Sequence, residues 1–225
     1  MTAHGGCAAL IVIAKAPAPG RSKTRLCPPC TPVQAAALAE AALRDTLAAV
    51  AATPCRARVL ALDGEPGPWL PAGFDVIAQR GTGLAQRLAA AFEDTGGPAL
   101  LVAMDTPQLT PALLAAGLAR LGSRGVGAVL GPTRDAGYWA IGLRRPDRAV
   151  FAGVPMSSPL TLCTQRARLG ALGLRVAELP QLTDVDTIAA ARLVARSASG
   201  SLFAAALRAS GHAADEHQPV AEAAA

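Results

Sequence analysis

Short apolar runs alternate with longer stretches of helical periodicity along most of this chain. Residues 8–14, Ala-Ala-Leu-Ile-Val-Ile-Ala, have no polar interruption and suit a strand buried on both faces. Comparable runs at 56–62, 74–78, 99–104, 126–130, 138–143 and 174–179 predict further strands. Between them lie alanine-rich amphipathic segments. Thr31-Pro-Val-Gln34 reads as a helix start, with Thr31 as N-cap, Pro32 in the first turn and Gln34 closing a capping box, and that helix runs to about residue 52. A second helix is predicted over 83–94. Thr110-Pro111 and Ser158-Pro159 repeat the hydroxyl-proline start, and a last helix follows Thr187. This βαβ alternation predicts an α/β three-layer sandwich with a mainly parallel sheet. Residues 1–196 read as the domain, and the Ala/Ser-rich residues 197–225 as a helix to about residue 208 and a disordered tail.

Composition narrows the functional classes. The 52% hydrophobic content comes largely from alanine, and no run reaches the roughly 20 uncharged apolar residues a membrane span needs. No basic n-region precedes an apolar core at the N-terminus, so a cytoplasmic location is expected. The net charge of +5 favours anionic partners. The arginines are scattered, however, and 3% aromatics supply no platform for stacking bases, which argues against nucleic acid. Five cysteines, an odd number, are expected as free thiols. Cys27-Pro-Pro-Cys30 has redox spacing ahead of a helix that could lower a thiol pKa, although no second pair completes a zinc site. All three histidines, His4, His212 and His217, fall near the ends. Histidine-based nucleophilic catalysis is thereby excluded from the body of the chain.

What remains is carboxylates and cations. The only two lysines, Lys15 and Lys23, share the segment Lys15-Ala-Pro-Ala-Pro-Gly-Arg-Ser-Lys-Thr-Arg-Leu26 with Arg21 and Arg25, directly after the first strand. Prolines stiffen such a loop, Gly20 lets backbone approach a ligand, and the cations suit phosphate oxygens. Ligands in open α/β sheets bind at the carboxyl ends of strands. Asp105, Asp135, Asp184 and Asp186 fall at such positions. Carboxylates beside a phosphate loop point to Mg2+ or Mn2+. Competing readings are an Asx-turn or helix cap at Asp105, helix capping by Asp184 or Asp186, and an ion pair of Asp135 with Arg134 or an arginine elsewhere. Tyr138 and Trp139 suit an acceptor pocket or the core. Arg80-Gly-Thr-Gly83 suits a base or ribose contact, with Arg87 facing either ligand or solvent.

In order, the basic segment, Asp105-Thr-Pro-Gln-Leu109, Asp135-Ala-Gly-Tyr138, Ser157-Ser-Pro159 and Asp184-Val-Asp-Thr187 resemble a bacterial family of glycosyltransferase-like proteins. These are the radical-SAM/selenodomain-associated transferases of type 1, in the nucleotide-diphospho-sugar transferase superfamily. More distantly, the chain is similar to phospholactate and molybdenum-cofactor guanylyltransferases. The resemblance covers roughly residues 8–195 and implies a glycosyltransferase-A-like, Rossmann-like fold. It implies that Lys15, Gly20, Lys23 and Arg25 hold nucleotide phosphates, with Arg21 and Thr24 in the same segment, and that Lys23, Arg25 and Asp105 serve the chemistry. Asp105 would be one metal ligand, and Asp184 or Asp186 the other. Gly83 would lie on the nucleotide side, and Asp135, Gly137 and Tyr138 on the side of a small-molecule acceptor. Four departures bear on acceptor choice: Ala103-Met104 for a common Gly-Ser, Ala136 for glycine, Met156 for tryptophan, and Ile188-Ala-Ala for Pro-Glu-Asp. Glycosyl transfer from a nucleotide-diphospho-sugar is the expected activity. Nucleotidyl transfer with pyrophosphate release, nucleotide binding without catalysis, and thiol redox at Cys27 and Cys30 are the alternatives.

Overall fold

The apolar run at the start of the chain becomes the central strand β1 (Ala9–Lys15), whose Leu10, Ile11 and Val12 are wholly buried. The computed structural model describes residues 8–213. β1 lies between two parallel neighbours, β2 (Arg58–Asp63) and β4 (Ala99–Ala103), with β3 (Asp75–Ala78) parallel to β2 at one edge. β6 (Tyr138–Leu143) runs antiparallel between β4 and β5 (Ala128–Pro132), and β7 (Val176–Glu178) pairs parallel with β5. The order is β3-β2-β1-β4-β6-β5-β7. A mainly parallel α/β sandwich is therefore present, with β6 as the single reversed strand among the described residues.

Period-two alternation sends Leu10, Val12 and Leu60 to one face, against Leu43 and Leu47 of α1 (Pro32–Ala51) and Leu114 and Leu121 of α3 (Pro111–Gly122). Ile11, Ile13 and Val59 point the other way, onto Leu88 and Phe92 of α2 (Leu84–Thr95) and Leu169 of α4 (Thr161–Ala171). The Thr31 capping box forms as predicted, and Thr110 caps α3.

Two starts differ from the sequence reading. Ser158-Pro159 does not cap α4. Thr161 Oγ1 instead accepts the Ser158 N–H at 3.1 Å and donates to the Pro155 carbonyl at 2.7 Å, which closes a turn ahead of the helix. Neither Asp184 nor Asp186 caps α5 (Ile188–Ser197), because the nearer Thr187 hydroxyl accepts the Ala190 N–H. Both carboxylates are thus released for other work.

The segment after residue 197, read as an appendage, packs into the body as far as residue 213, the last one described. Its helix α6 (Leu202–Ala209) buries Phe203 and Leu207 against Leu38 and Ala42 of α1, in a third cluster that also holds Leu26 and Val185. Asp45 of α1 anchors it, with its two carboxylate oxygens accepting the N–H groups of Leu202 at 2.9 Å and Phe203 at 2.8 Å. Asp45→Ala should therefore cost about 1–2 kcal/mol. Asp45→Asn, which keeps one acceptor, should lose less. Thermal unfolding of the two variants tests this, and equal midpoints for wild type and Asp45→Ala would refute it. The tail expected beyond residue 213 lies outside the described residues.

Candidate active site

Strand register decides which loops meet. Ile13 pairs with Ala103 on β4 and Lys15 with Asp63 on β2, so the chain leaves β1 alongside Met104-Asp105 and Asp63. Because β6 is reversed, its first residues lie at this same edge, and the 133–137 turn joins the group. An isolated parallel bridge from Thr133 to Leu182 then brings in Asp184 and Asp186. The result is a cleft of about 530 Å³, walled by Lys15, Arg25, Asp63, Asp105, Asp135, Tyr138, Asp184 and Asp186.

The basic loop is tightly folded. The Ser22 hydroxyl accepts the Ala18 N–H at 3.0 Å, Gly20 takes φ +73°, and Lys23 takes a left-handed φ of +50°. Leu26 ends the following 3-10 turn (Thr24–Leu26) and is wholly buried beside Val185. That apolar contact places the loop against the segment that carries Asp184 and Asp186.

Lys23 is gripped by the acidic segments. Its side chain is 8% exposed, and Nζ lies 2.5 Å from Asp105 Oδ1, 2.6 Å from the Val185 carbonyl and 3.5 Å from Asp186 Oδ1. Burial opposes its charge, yet Asp105, Asp186 and Asp184 outweigh burial and hold its pKa above the ordinary value. Arg25, with a side chain 70% exposed, pairs with Asp186 Oδ2 at 2.8 Å. A backbone bond of 3.0 Å from the Val185 N–H to the Asp105 carbonyl ties the two acidic segments together.

Asp184 is the most perturbed carboxylate. Burial first, then the negative charges of Asp105 and Asp135, push it up to about 8, partly offset by Lys23. Its Oδ1 is buried with no hydrogen-bond partner. Among the described residues no ready cluster of three His, Cys, Asp or Glu ligands is formed, since the Lys23 ammonium stands between Asp105 and Asp186. A partnerless carboxylate oxygen and crowded negative charge nevertheless fit a hard divalent cation. The folded state holds a proton on Asp184 that the unfolded chain releases near pH 4, so the group costs stability as pH rises from about 4 towards 8. Asp184→Asn in EDTA is accordingly expected to raise the melting midpoint at about pH 8 and leave it unchanged below about pH 4. Equal midpoints at both values would contradict this.

The turn before β6 is held from within. Asp135 Oδ1 accepts from the Thr133 hydroxyl at 2.5 Å and from the Gly137 N–H at 3.2 Å, so no pair with Arg134 forms. A Cβ on Gly137 would sit 2.9 Å from Thr133 Oγ1. Ala136 adopts φ +67°, a conformation that suits glycine and strains an alanine. The Tyr138 hydroxyl donates to Gln165 at 3.3 Å, and burial holds its pKa above the ordinary value. Met156 lies 3.7 Å from that hydroxyl and lines the cleft.

Of the other expected residues, Lys15, Arg21 and Thr24 border an adjoining hollow of about 230 Å³ together with Lys23 and Arg25. Gly20 and Gly83 line neither space. Gly83 is the N-cap of α2, and Arg80 turns away to pair with Asp94 at 2.5 Å. Arg87 resolves towards the cleft, bonding Asp63 at 2.9 Å and Gln79 at 3.3 Å. Asp63 and Gln79 were not anticipated, although Asp63 ends an apolar strand in the same way that Asp105 follows one. Cys30 is buried, and burial together with Cys27 pushes its pKa up, opposite to the lowered pKa that a redox thiol needs.

Comparison with known proteins bears on the family and the fold. The family described as "Uncharacterized protein conserved in bacteria (DUF2064)" matches residues 36–158, more than half of the chain. No curated protein matches it in sequence. A crystal structure of a candidate nucleotide-diphospho-sugar transferase from Desulfovibrio desulfuricans G20 is 25% identical, with a TM-score of 0.81 over 91% of this chain and 95% of that one. CMP:2-keto-3-deoxy-manno-octonic acid synthetase, solved with CTP, shares the fold at 14% identity and a TM-score of 0.57, covering 86% of this chain and 99% of that one. Among the described residues no helix is long and apolar enough to cross a membrane.

Proposed function

We propose that this chain, which belongs to the DUF2064 family, is a metal-dependent transferase acting on a nucleotide-activated donor, with glycosyl transfer from a nucleotide-diphospho-sugar as its reaction. One observation carries the reading. The basic loop after β1 and the carboxylates Asp105, Asp184 and Asp186 converge at the carboxyl end of the sheet, in a cleft large enough for a nucleotide. Likeness to the Desulfovibrio protein supports it.

In this reading Lys15 and Arg25, both substantially exposed, meet the phosphates of the donor. Asp105, with Asp186 or Asp184, would hold a divalent cation, which when bound supplies neutralisation of the leaving diphosphate. Asp135 spends one carboxylate oxygen on its own turn and leaves the other for an acceptor hydroxyl. The apolar side of the cleft, Leu88, Leu101 and Met156, excludes water from the reacting atoms.

Nucleotidyl transfer is the second reading, and the adjoining hollow favours it. Lined by Lys15, Arg21, Thr24 and Arg25, that space has room and charge for the further phosphates of a triphosphate. Calorimetry with a panel of nucleoside triphosphates and nucleotide-diphospho-sugars, in Mg2+ or Mn2+ and then in EDTA, separates the two. Metal-dependent binding of a diphospho-sugar supports glycosyl transfer, and preference for a triphosphate supports the alternative. No binding of any member would sink both.

A further inference from the structure

We propose that Lys23 is a resident counter-cation that keeps free divalent ions out of the Asp105–Asp186 site. The inference rests on reading that site as the cation site of the proposed transferase.

The geometry is that of a small cation in an oxygen cage. An ammonium has three donors, and Lys23 finds three oxygens, from Asp105, Val185 and Asp186, at 2.5, 2.6 and 3.5 Å. These come from two segments more than 160 residues away in sequence from Lys23, in one case, and about half that distance in the other. Arginine, which supplies every other positive side chain outside Lys15, could not replace it here, because its planar fork would not fit three converging oxygens. The side chain is almost fully shielded from solvent.

Charge reinforces the geometry. Asp105 and Asp186 are opposed by Lys23 and Arg25, so this pair of carboxylates is balanced without a metal ion. A divalent ion entering alone would overload it with positive charge and would have to expel a buried ammonium. Lys23 also borders the cation-lined hollow. A phosphate placed there offers the ammonium a second partner, so an anionic ligand can relieve a conflict that a bare ion cannot.

Mn2+ binding without nucleotide tests this, read by the loss of the free-ion electron paramagnetic resonance signal. Wild type is compared with Lys23→Met, which keeps much of the length, and Lys23→Gln, which keeps a donor for the Val185 carbonyl. Circular dichroism melting reports whether each variant is folded. Both variants are expected to bind Mn2+ about tenfold or more tightly than wild type. Equal or weaker binding in the folded variants overturns the inference. Loss of fold in both also overturns it, by making the ammonium a strut for the 184–186 segment. If wild type binds a nucleotide in a metal-dependent way while neither variant gains Mn2+ affinity, only this inference falls. If no protein binds Mn2+ and wild type binds no nucleotide, the functional reading falls with it.

Discussion

Asp105→Ala is expected to lower transferase turnover by about 10²–10³-fold and to abolish the metal dependence of nucleotide binding. Asp105 is at once a proposed cation ligand and the closest partner of Lys23, so its loss acts twice. The site loses a hard oxygen donor, and a buried ammonium is left with the Val185 carbonyl and a more distant Asp186. Breaking a fully buried pair typically costs 3–5 kcal/mol, but the Asp105 side chain is 36% exposed, so a smaller loss of about 1–3 kcal/mol is expected. Asp105→Asn separates the two effects, since it removes the charge and keeps a hydrogen-bond acceptor. Urea denaturation and metal-dependent calorimetry on both variants read stability and ligation independently. Metal-dependent binding that survives Asp105→Ala would move the cation elsewhere in the cleft.

Trp139→Ala is expected to produce the largest loss of stability, about 3–5 kcal/mol, or a fall in midpoint of about 6–20 °C. The indole is 1% exposed on β6 and lies so close to Gly131 of β5 that a Cβ there would approach it to 2.5 Å. Its Nε1–H also donates to the Pro180 carbonyl at 3.0 Å. That bond fastens the strand beneath the cleft to the segment leading into Asp184 and Asp186. Trp139→Phe should retain most of the packing and lose about 1 kcal/mol with the hydrogen bond. It should weaken Mn2+-dependent nucleotide binding more than its stability loss alone explains. A change below about 1 kcal/mol for the alanine variant would show that the ring bears little of the core.

Much of the architecture is legible from neighbours in sequence. The unbroken run from Ala8 to Ala14 marks a doubly covered strand because nothing polar in it needs water. The Thr31 box is likewise readable, because both of its hydrogen bonds join residues three apart. Asp105 could be placed at a strand end for the same local reason. Ser158-Pro159 misled, because Thr161 competes for the same backbone groups and the turn it closes delays the helix. The fate of the segment after residue 197 was hidden as well. Its anchor, Asp45, is more than 150 residues earlier, and its apolar face acquires meaning only against α1.

The sequence by itself therefore determined the elements, most of their caps and the chemical types gathered near the ends of the strands. Those depend on side-chain period and on hydrogen bonds a few residues long. Tertiary structure alone decided that β6 inserts in reverse between β4 and β5, which brings the Asp135 turn to the edge where β1 and β4 end. It alone decided that Arg87 faces Asp63, and that Lys23 lies against Asp105 and Asp186. A charged side chain carries no local signal of which opposite charge will reach it. That choice is made only when the sheet register and the burial of Leu26 beside Val185 fix the loops at contact distance.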